Sequence, residues 1–133
     1  MSKFDLLGTP TLILFTTPMQ IYHNPRCSKS RGALALIEEG GITPEVIRYL
    51  DTPPTRDELV SLLAKLGMKP SELVRTGEDV YKAEYAGKPM SEDDWLDAMI
   101  RHPVLIERPI VVAGDRAVVG RPPERVLELL SDI

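Results

Sequence analysis

A strand, a turn, a helix and a second strand are compressed into residues 20–50, and this order constrains the fold more than any other feature of the chain. Gln20 to His23 reads as a short strand. Asn24 and Pro25 break it, because proline fixes its own φ and offers no backbone donor. A helix is expected from about Cys27, with Ala33, Leu34, Leu36 and Ile37 on its apolar face and Gly40-Gly41 at its end. Val46 to Leu50 reads as the second strand. Two strands joined through one helix run parallel, and such a crossover is right-handed.

Downstream, Thr55 and Glu58 form a capping box ahead of Leu59, Leu62, Leu63 and Leu66, which repeat at helical spacing until Gly67. A shorter helix is expected from Ser71 to about Arg75, followed by a polar connection through Gly77 and Lys82. Ser91 and Asp94 cap another helix, whose apolar side carries Trp95, Leu96, Met99 and Ile100, and His102-Pro103 stops it. Pro109 to Ala113 and Ala117 to Val119 flank the two-residue turn Gly114-Asp115 and predict a hairpin. Pro122-Pro123 then opens a last helix with Val126, Leu127, Leu129 and Leu130 on its apolar face. The order β-α-β, helical block, β-β-α fits an α/β fold with a mixed four-stranded sheet of the thioredoxin-like kind, the helical block inserted between its halves.

The length of 133 residues predicts one domain, over 19–133. Residues 1–18, with Gly8, Pro10 and Pro18, read as a poorly ordered N-terminal extension, or as an added edge strand over Thr11 to Thr16. A net charge of -4 argues against a nucleic-acid partner, which would need a basic footprint. No apolar run approaches the roughly 20 residues of a membrane span, and no signal peptide is read at the N-terminus. One cysteine, Cys27, excludes an internal disulfide, and with only His23 and His102 beside it no cysteine-histidine metal cage is expected. The reducing cytosol is the expected compartment.

The chemistry centres on the stretch HNPRCSKSR, residues 23–31. A cysteine at the opening of a helix faces unpaired backbone N–H groups and the positive end of the helix dipole. Arg26, Lys29 and Arg31 add positive charge to a chain that is acidic overall. Together these favour the thiolate, which is the nucleophilic form. A lone cysteine is more often just a small buried residue. But cations at a helix N-terminus are unfavourable for the helix itself, so an anionic ligand explains them better. His23 is either a structural residue at the strand end or a group that tunes the thiol. Spacing excludes two familiar arrangements. An arginine six residues after the cysteine would mark a phosphatase-type loop, and that position is Ala33; a second cysteine three residues on would mark a dithiol pair, and that position is Ser30. Oxidised Cys27 must therefore be cleared by an external thiol.

HNPRCSKSR, ELVRTGE, RPIVV and GRPPE, in that order, resemble the glutaredoxin-linked arsenate reductases, the ArsC family, from about Met19 to Leu130. The resemblance implies a thioredoxin-like, glutaredoxin-like fold. It implies a cysteine that attacks arsenate, an adduct resolved by glutathione as co-substrate, glutaredoxin as the partner that clears the mixed disulfide, and no bound cofactor. Cys27 matches the nucleophile, and His23 matches the histidine just upstream; Arg31 joins it as a candidate for tuning the thiol. Arg75, Arg108 and Arg121 match three oxyanion-binding arginines. Pro109 matches the cis-proline that such folds place beside the cysteine. Planar guanidinium forks suit the oxygens of arsenate or a similar oxyanion.

Arg26 and Lys29 depart from the smaller or neutral residues of the family pattern, and the sequence stops at Ile133, without the C-terminal extension of the longer reductases. In its length the chain looks closer to the shorter members, while Arg26 and Lys29 add positive charge around the thiol. Two other readings remain open at this point: a general glutathione-linked thiol oxidoreductase, and a regulatory adaptor of the Spx-like kind that binds RNA polymerase.

Overall fold

The computed structural model describes residues 19–130. The expected extension and the candidate strand over Thr11 to Thr16 lie outside the described residues. Four strands form one mixed sheet: β1 (Met19–Tyr22), β2 (Glu45–Ile47), β3 (Ile110–Ala113) and β4 (Arg116–Val119). Their order is β2-β1-β3-β4, with β1 and β2 parallel and the other two pairs antiparallel. Helix α1 (Ser28–Glu39) makes the crossover between the parallel pair. The inserted block holds α2 (Arg56–Leu66), α3 (Pro70–Leu73), α4 (Asp79–Glu84) and α5 (Glu92–Arg101), and α6 (Leu127–Leu130) closes the described chain. The expected α/β, thioredoxin-like arrangement is the one observed.

Strand periodicity divides the core into two layers. Met19, Ile21, Val111 and Val118 point to one face, where they meet Ala33 and Ile37 of α1, then Val126 and Leu129. Ile110, Val112, Ala117 and Val119 point to the other, against Leu59, Leu62 and Leu63 of α2, Leu73 of α3, and Leu96 and Met99 of α5. Burying a leucine fully contributes about 1.5–3 kcal/mol relative to leaving it exposed, so the three leucines of α2 anchor the inserted block to the sheet.

The expected caps are present. Thr55 accepts from the Glu58 backbone N–H at 3.1 Å while Glu58 accepts from the Thr55 N–H at 2.8 Å, and Ser91 with Asp94 repeats the arrangement. Gly67 ends α2 with φ at +67°, a conformation costly to any residue with a Cβ. Three expectations change. The second strand is shorter than Val46 to Leu50, leaving Tyr49 as a buried core residue beyond the strand end. The helix expected over Ser71 to Arg75 covers Pro70–Leu73, because Val74 leaves it to form an antiparallel bridge with Ile106. The connection through Lys82 is helical: Tyr81 of α4 stacks on Trp95 of α5 at 5.8 Å, and this contact across the chain supplies what a weak local pattern does not.

Candidate active site

Cys27 sits where three chain segments meet. It is the N-cap residue of α1, in extended conformation, and its sulfur is partly exposed. The turn before it is held internally. Asn24 accepts the Cys27 N–H on its backbone carbonyl at 2.9 Å and the Arg26 N–H on its side-chain oxygen at 3.0 Å. Ser30, fully buried in the first turn of α1, accepts the Asn24 N–H at 3.0 Å and contacts His23 Nδ1 at 2.7 Å. These bonds fix the turn, so that the free N–H groups at the start of α1 face the sulfur. Burial pushes the Cys27 thiol up. The backbone N–H groups of Ser30 and Lys29, and then the Arg108 guanidinium, outweigh burial and hold it below the ordinary thiol range.

The hairpin delivers two arginines to the same place. Ile110 pairs with Val119, so the residues just before β3 and just after β4 lie side by side. The Gly120 N–H donates to the Pro109 carbonyl at 2.8 Å. Tyr22 pairs with Ile110 across β1 and β3, which brings the end of β1 beside Pro109. Pro109 is fully buried, and the peptides Arg108–Pro109 and Arg121–Pro122 are both cis. Arg121 Nη1 donates to the Arg108 carbonyl at 3.1 Å and lies 3.8 Å from Cys27 Sγ.

Arg75 arrives from the inserted block. The bridge between Val74 and Ile106 is flanked by backbone bonds from Arg75 N–H to Leu105 at 2.7 Å and from Glu107 N–H to Leu73 at 2.9 Å. Arg75 thereby lies across from Glu107 and donates to it through Nη1 at 2.6 Å, and to Glu78 through Nε at 3.1 Å. Arg108 Nη1 lies 3.6 Å from the same Glu78, and Arg121 Nε 3.6 Å from the same Glu107. Two carboxylates thus link three guanidinium groups into one network beside the sulfur.

Of the residues singled out in the sequence, Cys27, Arg108 and Arg121 converge directly, and Arg75 joins them through the two glutamates. His23 is buried against Ser30, and burial first, then Arg48 and Arg31, lowers its pKa below the ordinary imidazole value. Its structural contact is thus with the turn that holds the cysteine. Arg31 is exposed and donates to the Pro25 carbonyl at 3.0 Å, bracing the turn from outside. Three residues at the site escaped the sequence reading. Glu78 and Glu107 stood inside or beside quoted motifs, Glu78 three residues after Arg75 and Glu107 directly before Arg108. Tyr49 is the third. Burial pushes its hydroxyl up to about 12, against the pull of Arg108 and Arg75, and the Cys27 charge adds to the rise. The Tyr49 hydroxyl and Arg108 Nε are both buried with no hydrogen-bond partner. Among the described residues no group of three or more His, Cys, Asp or Glu side chains is placed to hold a metal. No helix among them is long and apolar enough to cross a membrane.

A thioredoxin-like sheet, a cysteine at a helix opening with its charged form favoured, and arginines carried in on the hairpin define a thiol-based oxidoreductase domain. The comparisons with known proteins narrow the class. The family model described as ArsC family matches residues 22–129. The chain is 50% identical over 118 residues to the uncharacterized protein YfgD of Escherichia coli, covering 87% of this chain and 99% of that one. It is 47% identical over 114 residues to an arsenate reductase of Neisseria meningitidis, covering 84% and 97%. The solved arsenate reductase from Vibrio cholerae superposes with a TM-score of 0.81 at 49% identity, covering 85% of this chain and 98% of that chain. The chain belongs to the ArsC family.

Proposed function

We propose that this protein reduces arsenate to arsenite with Cys27 as nucleophile and glutathione as the co-substrate. The observation that carries the reading is the contact of Arg121 Nη1 with Cys27 Sγ at 3.8 Å, with the same atom bonded to the Arg108 carbonyl at 3.1 Å. It supports a nucleophilic sulfur and an oxyanion-binding guanidinium at one point. Arg75, Arg108 and Arg121 would hold the arsenate oxygens through charge-assisted bonds. The thiolate attacks arsenic, a sulfur–arsenic bond forms, and one arsenate oxygen leaves as water after protonation. Glutathione then attacks the Cys27 sulfur; the sulfur–arsenic bond breaks, its electron pair stays on arsenic, and arsenite departs. A mixed disulfide of Cys27 and glutathione remains. With Ser30 in the resolving position, an external thiol must clear it, and glutaredoxin fits that role. His23 and Arg31 hold the turn that presents the sulfur. A reaction that consumes reduced glutathione fits a cytoplasmic protein.

The test is arsenite production from arsenate, with glutathione and glutaredoxin each omitted in turn. Activity that needs both, and that Cys27→Ser abolishes, is the expected result. No arsenite formation, together with reduction of glutathione mixed disulfides, would favour the general thiol oxidoreductase instead.

A further inference from the structure

The arginine network already holds anions, and they belong to the protein. Arg75 uses Nε on Glu78 at 3.1 Å and Nη1 on Glu107 at 2.6 Å. Glu78 also faces Arg108 at 3.6 Å, and Glu107 faces Arg121 at 3.6 Å. All five side chains are only partly exposed, between 12% and 32%. The two carboxylates thus offset part of the positive charge of the three guanidinium groups.

We propose that Glu78 and Glu107 are built-in competitors that set the affinity of this site for tetrahedral oxyanions. The inference rests on the arginines being the oxyanion site, and it explains what the acidic partners do there. A carboxylate and an oxyanion offer the same paired oxygens to a guanidinium fork. An arriving oxyanion must displace the carboxylates from Arg75 or share its donors with them. Weak ground-state binding falls equally on all tetrahedral oxyanions, including phosphate, which has the shape and charge of arsenate.

Glu107→Gln and Glu78→Gln test this, because the amide keeps the shape and one acceptor while removing the charge. Inorganic phosphate is the probe, measured in the full chain by protection of Cys27 against alkylation and by calorimetric titration. Glu107→Gln is expected to bind phosphate roughly tenfold more tightly, the worth of about 1.4 kcal/mol. Arsenate KM should fall, and phosphate should become the stronger inhibitor. Glu78→Gln should act in the same direction and serves should the first variant fold poorly. Phosphate binding unchanged or weakened in both folded variants would overturn the proposal and leave the glutamates as braces for the arginines. If wild-type protein reduces no arsenate while the variants still tighten on phosphate, the competitor role stands and the reductase reading falls. If arsenate is reduced and the variants bind no tighter, the reverse holds.

Discussion

Removal of the Arg121 guanidinium separates an oxyanion site from a generic thiol site. In Arg121→Ala the chain loses the Nη1 contact to Cys27 Sγ at 3.8 Å, the bond to the Arg108 carbonyl at 3.1 Å and the pairing with Glu107 at 3.6 Å. The contact to sulfur is long and contributes little on its own. The pairing with Glu107 is partly solvated and worth about 0–1 kcal/mol, and Glu107 keeps Arg75 at 2.6 Å, so the fold should melt nearly where the wild type does. The main loss is the charge-assisted contact to substrate, about 1.5–3 kcal/mol. That corresponds to roughly a ten- to hundredfold fall in kcat/KM for arsenate. Arg121→Lys restores the charge, but one ammonium cannot reach a carbonyl, a carboxylate and an oxyanion in the plane a guanidinium spans. Its kcat/KM should stay at least about fivefold below wild type. The assay is steady-state arsenite production alongside reduction of a glutathione mixed disulfide, which gains little from an oxyanion clamp. A loss under about threefold on arsenate, or equal losses on both substrates, would refute the assignment of Arg121 to oxyanion binding.

Three further outcomes are expected. Because helix N–H groups and Arg108 outweigh burial at Cys27, alkylation should rise with pH through a midpoint below the free-thiol value of about 8.5; a midpoint at or above it would remove the activation argument. A Cβ at Gly120 would meet Pro109 Cγ at 2.9 Å and Ala33 at 3.4 Å, so Gly120→Ala should lose about 1–3 kcal/mol in denaturant titrations and disturb Arg108 through Pro109. The pKa of His23 lies below its unfolded value, so the unfolded chain takes up the proton first as pH falls. Stability should therefore decline on acidification through about 6.5 toward the lower folded value, and His23→Gln should flatten that slope in urea midpoints measured against pH.

Local chemistry made much of the framework legible in the sequence. Capping boxes at Thr55 and Ser91, the stop at Gly67 and the two-residue turn at Gly114-Asp115 each act within a few residues, so the sequence alone carries them. The placement of Cys27 at a strand-to-helix turn is of the same kind. Helix α4 is not: its stability depends on Tyr81 meeting Trp95, a residue fourteen positions on, and no local pattern reports that contact. The site divides along the same line. The resemblance named Cys27, Arg75, Arg108 and Arg121, but it did not reveal that Glu78 and Glu107 bond Arg75 and lie 3.6 Å from Arg108 and Arg121. Arg75 meets Glu107 across thirty-two positions because Val74 bridges Ile106, and Tyr49 is buried past the end of β2, where Arg108 acts on its hydroxyl. For His23 the sequence left two roles open, and it did not report that Ser30 lies within 2.7 Å of its ring. The sequence by itself determined the order of the strands and most helices, and the placement of Cys27 at a helix opening, because these follow from neighbours along the chain. Which charges face the nucleophile was decided only by the tertiary structure, because electrostatic partners are set by distance in space and the sheet brings together residues far apart in the chain.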